Sequence, residues 1–405
     1  MEIGSKNLED YSFFCGDDLI AELEVLKREL RGIRVCHINS TPFGGGVAEL
    51  LYSCIPLLRG MGIKAEWRII SAREQFFSVT KLFHNALQGA EYAPTKHELD
   101  TYIDTNANNG QRFIPRYDVV IVHDPQPAAM RSFCPNGSTK WIWRCHIDTS
   151  VANQGIWGFL KPYVSEYDQA IFSLGKFVPP DLELSLLQLI PPAIDPLSPK
   201  NQELPLERCI EFAKSRGLDT ERPIATQVSR FDIWKDPLGV IAAYRMAKQD
   251  ISGLQLVLIG SLARDDPEGF GMLEAVKAQA EGDKDLYIFH NLPDVEVNAF
   301  QRVSNIVIQK SLREGFGLTV SEAMWKSVPV IGGNTGGIAL QLGGELSELL
   351  VNGVEECSRK MVMLLENRDH ARMLGSKGRE MVRKSFLMPR LVRDELRAIR
   401  QVLAR

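Results

Sequence analysis

Between residues 33 and 366, short apolar runs alternate with stretches of helical periodicity, a pattern that parallel β-α-β units satisfy and few other folds do. In the first half, strands are expected at 33–39, 65–70, 118–124, 140–148, 169–174 and 184–190. Most are rich in Val, Ile, Leu or Trp, as strands covered on both faces should be. A proline-dense stretch, PPAIDPLSPKNQELP at 191–205, then breaks the pattern and reads as a linker, because proline disfavours both helix and central strand. A second series follows, with strands expected at 223–231, 254–261, 286–291, 306–311 and 329–333. The last sixty residues read as helical. Over 388–405, Val392, Leu396, Ile399 and Leu403 recur at helical spacing, a face able to pack back onto the first domain.

A chain of 405 residues exceeds the size at which a single core keeps growing. The fold class expected is therefore α/β, with two Rossmann-like domains: an N-terminal one over 1–196, a C-terminal one over 197–386, and a final helix over 387–405. Several enzyme classes use such a pair of domains, so the fold does not choose among them.

The formal net charge of −4 gives no general attraction to nucleic acid or to an anionic membrane, so an anionic ligand has to be held by a local site. No apolar run reaches ~18 residues, and the first residues, MEIGSKNLEDYSFFCGDDL, lack a basic start followed by an apolar run. The expectation is a cytoplasmic protein that does not span a membrane. Cys15, Cys36, Cys54, Cys134, Cys145, Cys209 and Cys357 are scattered without a CxxC pair and read as reduced, mostly buried thiols.

The strongest local signal is SLREGFGLTVSEAMWK at 311–326, following a strand and opening a helix. Gly315 and Gly317 allow close backbone approach, and the N–H groups near Gly317, Leu318 and Thr319 form an anion site at a helix N-terminus. Glu314 and Glu322 at a strand's carboxyl end suit hydroxyl-rich ligands such as ribose and glucose; the plainer alternative is an acidic first turn on a surface helix. In QVSRFDIWKD at 227–236, Arg230 and Lys235 flank a turn where they could neutralise a diphosphate, or form ordinary surface ion pairs. NSTPFGGGVAE at 39–49 joins the first strand to its helix, from Asn39 through Gly44, Gly45 and Gly46. It is not a GxGxxG fingerprint, and it can hug a phosphate or a sugar, or be a plain turn. Two strand ends carry His123-Asp124 and His146-Ile-Asp148, where ligand contact is expected, and His84 in FHN is a weaker candidate of the same kind. Asp265-Asp266 and Asp283-Lys-Asp285 look solvated rather than metal-binding, so no metal site is expected.

With those residues in hand, the chain resembles the retaining GT-B glycosyltransferases of family 4, whose shared pattern is two glutamates separated by seven residues, here Glu314 and Glu322. HINSTPFGGGVAELL (37–51), VTKLFHNALQG (79–89), VVIVHDPQPAA (119–129), WRCHID (143–148), QVSRFDIWK (227–235) and REGFGLTVSEAMWK (313–326) resemble the trehalose synthase and trehalose phosphorylase branch. The resemblance implies a nucleotide-sugar cleft between the domains and transfer of glucose from a nucleoside diphosphate glucose to a small sugar, giving trehalose with retention and without a metal. It implies that Arg230 and Lys235 bind the donor diphosphate, Glu322 the ribose, Glu314 the transferred glucose, and the backbone at Gly45 a phosphate. His146 and Asp148 would line the sugar site, with Asn39, His84, His123 and Asp124 on the acceptor side. The partners implied are small sugars and nucleotide sugars; oligomeric state is left open, a homodimer included. The branch normally follows its Gly-Gly-Ile with an Asp-Gly-x-x-Gly turn and a strand, whereas this chain reads ALQLGGELSELLVNG at 339–353.

The competing readings are a trehalose phosphorylase, an inactive nucleotide-sugar-binding protein, and an NAD-dependent oxidoreductase. Intact Arg230, Lys235, Glu314 and Glu322 argue against the second, and the missing GxGxxG against the third.

Overall fold

The computed structural model describes residues 4–42, 45–261 and 267–405 and divides into two compact units, 1–192 with 388–405, and 193–387. Phe43 and Gly44 of the glycine-rich loop, and the Asp265-Asp266 pair, lie outside the described residues.

The first unit is built from α1 (Asp17–Glu29), β1 (Arg34–Asn39), α2 (Gly46–Gly60), β2 (Lys64–Ile69), α3 (Glu74–Leu87), α4 (Lys96–Arg112), β3 (Val119–His123), β4 (Lys140–Cys145), α5 (Gln154–Val164), β5 (Gln169–Phe172) and β6 (Leu187–Leu189). Its six strands lie in the order β2-β1-β3-β4-β5-β6, all parallel. Every residue of β3 is buried, which is what helices on both faces of a sheet demand. Trp141, Trp143, Tyr102, Phe83 and Phe172 dominate the core on one face.

The second unit carries α6 (Leu206–Ser215), β7 (Ile224–Arg230), α7 (Pro237–Ala247), β8 (Gln255–Ser261), α8 (Pro267–Ala280), β9 (Leu286–His290), α9 (Asp294–Val303), β10 (Ile306–Gln309), α10 (Leu318–Trp325), β11 (Val330–Gly333), α11 (Gly336–Gln341), β12 (Leu350–Val351), α12 (Val354–Glu366) and α13 (Arg368–Ser385). Its sheet runs β12-β11-β10-β7-β8-β9, again parallel. Where the sequence departs from the branch pattern, the chain still supplies an edge strand, with Leu350 and Val351 paired to Gly332 and Gly333.

Three expectations need correction. The strand expected over 140–148 stops at Cys145, because the His146 N–H goes to the Asp124 Oδ1 at 2.8 Å instead of to a neighbouring strand. The proline-dense stretch is not a free linker beyond its first residues: Ile194 donates to the Phe386 carbonyl, and buried Asn201 is held by Asp195, Ser198 and Lys326. Proline there excludes regular structure, yet the segment's polar groups find tertiary partners and it packs into the second unit.

The closing helix, α14 (Met388–Leu403), belongs to the first unit. Its buried face is Leu391, Val392, Leu396, Ile399 and Val402, while Leu403, expected on that face, is 36% exposed. Glu395 sits on the same face and is wholly buried. Leu396→Ala is expected to destabilise the protein by about 2–5 kcal/mol, through lost burial plus the cavity left behind. Thermal and denaturant unfolding check this; a change below about 0.5 kcal/mol would mean α14 contributes little packing.

Candidate active site

Both sheets have a topological switch point, where two adjacent strands begin runs that leave in opposite directions. In the first unit it lies between β1 and β3, in the second between β7 and β10. Loops leaving the carboxyl ends of such strands diverge and open a crevice. Nearly all the residues singled out in the sequence fall at these two places.

In the second unit, β7 ends at Arg230, and a 3-10 turn, Ile233–Lys235, follows. The ring of Phe231 lies over Gly260 on β8, where a Cβ would come within 2.1 Å of it, so the turn is seated by a close approach that glycine alone allows. Asp232 accepts from the Trp234 N–H at 2.9 Å and pairs with the Arg230 guanidinium at 3.3 Å. The Lys235 Nζ lies 2.5 Å from the Glu314 Oε2, and the Lys235 carbonyl accepts from Gln227 at 2.8 Å. A second cation, buried Lys310 at the end of β10, pairs with Asp236, which also caps α7. Two positive charges are thus fixed against carboxylates at the ends of adjacent strands, with Arg230 one-third exposed beside them.

Glu314 is held from behind. Gly336, at φ +47°, turns the chain so closely that a Cβ would stand 1.6 Å from the Glu314 carbonyl oxygen, and the Gly337 N–H donates to the same oxygen. Gly317, at φ +82°, leads into α10, and Leu318 and Thr319 open that helix. Glu322 is 2% exposed and has partners of its own: Gln301 Nε2 at 3.2 Å and Lys200 Nζ at 3.8 Å. The two glutamates flank one loop-to-helix junction, but with different partners. Lys326 donates to the Glu322 carbonyl at 3.0 Å, and burial pushes its ammonium down to about 7.

In the first unit, Asn39 at the end of β1 accepts from Trp67 Nε1 at 2.7 Å and donates to the Thr41 carbonyl, which fixes the start of the glycine-rich loop. Gly45 and Gly46 lead into α2 and are exposed; among the described residues a Cβ at Gly45 would meet nothing within 4 Å, so their packing does not require glycine there. His123 ends β3, and His146 follows β4. Their rings join through Nδ1 of His123 and Nε2 of His146 at 2.9 Å. Asp124, at φ +64°, receives the His146 N–H, and burial pushes its carboxyl up to about 7. Asp148 is buried and accepts from the Ser150 N–H and hydroxyl, which orders the loop after His146. His84 lies in the last turn of α3, on a different element from these groups.

The sequence reading missed His37, Arg144 and Glu395. His37 Nδ1 lies 3.1 Å from His123 Nε2, and Glu395 pairs with Arg144 at 2.6 Å and lies 3.5 Å from His37 Nε2. His37 sits in mid-strand and Glu395 lies 358 positions further along the chain, so no local spacing signals the cluster. Lys310, Asp236, Gln301 and Lys200 were missed for the same reason. Asp283 and Asp285 are taken up by Lys248 and Arg222 in an ion-pair network.

Among solved structures, the chain matches a trehalose-6-phosphate synthase with a TM-score of 0.73 at 14% identity, over 91% of this chain and 99% of that one, which defines the fold as GT-B. A sucrose-phosphate synthase from Thermosynechococcus elongatus matches with a TM-score of 0.70 at 17% identity, over 92% of this chain and 99% of that one. A family model described as glycosyl transferases group 1 matches residues 210–381, and one described as trehalose synthase, N-terminal domain, matches 37–179. A trehalose synthase of Rubrobacter xylanophilus is 47% identical over 99% of this chain and 98% of its own length. One from Pyrococcus horikoshii is 44% identical over 95% and 94%. A trehalose phosphorylase of Pleurotus pulmonarius stands further off, 28% identical over 83% of this chain and 52% of its own. The chain belongs to the trehalose synthase family of GT-B glycosyltransferases.

Two expectations follow from the geometry. Gly45→Ala should leave the thermal midpoint unchanged while weakening activity, whereas Gly336→Ala should lower both, since its Cβ collides with the backbone beneath Glu314. Parallel thermal scans and rate assays separate them, and equal midpoints for the two variants would show that the turn tolerates the change.

Burial also holds the imidazoles of His37, His123 and His146 below their ordinary range. Unfolded, they titrate near ~6.5, so on acidification below that value the unfolded chain binds more protons and stability falls. Asp124 works in the opposite sense, because between the ordinary aspartate range and about 7 the folded chain holds the extra proton. With three groups against one, the thermal midpoint should drop between about pH 7.5 and about pH 5.5. His123→Asn should make that drop smaller; an unchanged drop would mean that these imidazoles do not govern it.

Proposed function

We propose that this chain transfers a glucosyl group from a nucleoside diphosphate glucose to glucose, forming α,α-trehalose with retention of configuration and in a reversible reaction. The observation that carries the reading is the cluster of Arg230, Lys235, Glu314 and Glu322 at the switch point between β7 and β10, in a chain of the trehalose synthase family. Arg230 and Lys235 supply the positive charge that a departing diphosphate requires, and fixed cations stabilise a leaving group without reorganisation at the moment of reaction. Glu314 accepts from hydroxyls of the transferred glucose, its carboxylate held by Lys235, and Glu322 serves the ribose.

The second unit, on this reading, takes the donor. The backbone at Gly45 and Gly46, with Asn39, His84, His123, Asp124, His146 and Asp148, handles phosphate and acceptor sugar from the first. None of these groups stands out as a covalent nucleophile, and their part is to position and to neutralise charge. The leaving phosphate then helps to deprotonate the acceptor hydroxyl on the same face of the sugar, and no metal is needed. We place the protein in the cytoplasm, a reading supported by its seven cysteines, all of them buried. No helix among the described residues is long and apolar enough to cross a membrane.

The test is a product assay with glucose as acceptor and ADP-, UDP- or GDP-glucose as donor, with chelator present, and with trehalose plus phosphate in parallel. Trehalose from a nucleotide sugar supports the proposal; glucose 1-phosphate from trehalose and phosphate alone would replace it with a phosphorylase. Arg230→Ala or Lys235→Ala should lower turnover on the order of a hundredfold, and Glu322→Ala should weaken nucleotide-sugar binding. Wild-type rates in Arg230→Ala would show the diphosphate assignment to be wrong.

A further inference from the structure

His37, His123 and His146 form a continuous series of ring nitrogens within the first unit. From the inside outward, Glu395 Oε1 lies 3.5 Å from His37 Nε2, His37 Nδ1 lies 3.1 Å from His123 Nε2, and His123 Nδ1 lies 2.9 Å from His146 Nε2. Neighbouring rings are nearly parallel, at 23° and 14°. Glu395 and His37 are wholly buried, His123 is 1% exposed, and His146 is half-buried. On its other oxygen Glu395 is fixed by Arg144 at 2.6 Å, and the Cys54 thiol lies 3.7 Å from Oε1.

A neutral imidazole has one N–H and one lone pair, so a hydrogen bond between two rings fixes the tautomer of one by that of the other. The carboxylate can only accept. Among the described residues His37 Nε2 makes no hydrogen bond and faces only this carboxylate, and a lone pair there would repel the carboxylate while an N–H is attracted. His37 is therefore protonated on Nε2 and accepts through Nδ1. His123 must then donate from Nε2 and accept on Nδ1, so His146 donates from Nε2 and presents Nδ1 as a lone pair. Among the described residues, His146 Nδ1 has no protein partner.

We propose that Glu395, on the closing helix, is a positioning residue for the sugar site, setting the tautomer of His146 through His37 and His123 so that His146 Nδ1 accepts a hydrogen bond from a substrate hydroxyl. A buried carboxylate that orients a histidine and selects its tautomer is worth orders of magnitude in rate where that histidine acts on substrate. Here the selection passes through two further rings, and its source lies on an element remote in sequence from every residue it serves.

The test uses the full chain labelled with 15N in histidine. Nitrogen shifts assigned by single His→Asn variants should place the proton of all three rings on Nε2 in the unsubstituted protein, a readout that needs neither substrate nor activity. In Glu395→Gln the side-chain oxygen stays with Arg144 and the NH2 turns to His37 Nε2. Every ring should then invert, with His146 protonated on Nδ1, and kcat should fall on the order of a hundredfold. Donor binding, measured by calorimetry, should be unchanged. Glu395→Asp keeps the acceptor and should retain the Nε2 pattern and more of the rate.

An Nδ1 proton on His146 in the unsubstituted protein would overturn the proposal, even if Glu395→Gln does not fold. So would a folded Glu395→Gln with unchanged nitrogen shifts or an unchanged kcat. The kinetic arm rests on the trehalose-forming reading. Should no donor support turnover, that reading fails, while the tautomer pattern is still decided by the nitrogen shifts.

Discussion

A wholly parallel sheet cannot be closed by hairpins: each strand must be returned to the same end of the sheet through a crossover, and here helices and loops make that return. The constraint has a further consequence when the chain fills one side of the sheet and then the other. The two strands at the turning point send their loops apart, and the backbone leaves an opening at their carboxyl ends. Both units are wound this way, around β1 and β3 in one and β7 and β10 in the other. Within the second unit Arg230, Lys310 and Glu314 come together at the ends of β7 and β10, and within the first Asn39 and His123 do so at the ends of β1 and β3, because of the winding order.

Charge placed at such an opening is partly withdrawn from water, so it has to be balanced within the protein. The second unit does so with pairs: Lys235 with Glu314, Lys310 with Asp236, Lys200 with Glu322. These pairs hold each side chain in one place, and a group that is already oriented loses little freedom when it meets a ligand. The first unit follows a different scheme. At its switch point the rings of His37, His123 and His146 run in series, and the ion pair of Glu395 with Arg144 lies behind them in the core. A buried ion pair is a poor source of stability, since desolvation consumes most of its attraction. Its value here is directional.

Much of the site could be read from the chain because its residues stand next to strand ends, and strand ends are local. Arg230 and Lys235 follow one strand, Glu314 and Gly317 another, and His123 and His146 close two more; alternation of apolar runs with helical stretches is enough to find all of them. Strand ends themselves are read less well. The run at 140–148 is apolar enough to continue, yet a single side chain, Asp124, captures the His146 N–H and ends the ladder. The proline-dense segment misled for a related reason: its composition speaks only to regular structure, while its burial depends on partners such as Phe386 and Lys326, far along the chain.

Periodicity and the placing of turn residues determined two parallel α/β units, a closing amphipathic helix, and most of the polar groups at the two switch points, because those features depend on neighbours a few residues away. Tertiary structure decided which of those groups are partners. Glu314 is held by Lys235 and Glu322 by Lys200 and Gln301, although the two glutamates are neighbours in the motif. Val402, and not Leu403, completes the buried face of α14, and that face carries Glu395 to His37. Pairing across 358 positions is set by how sheets and helices stack in space, and no local pattern in a chain encodes which distant charge it will meet.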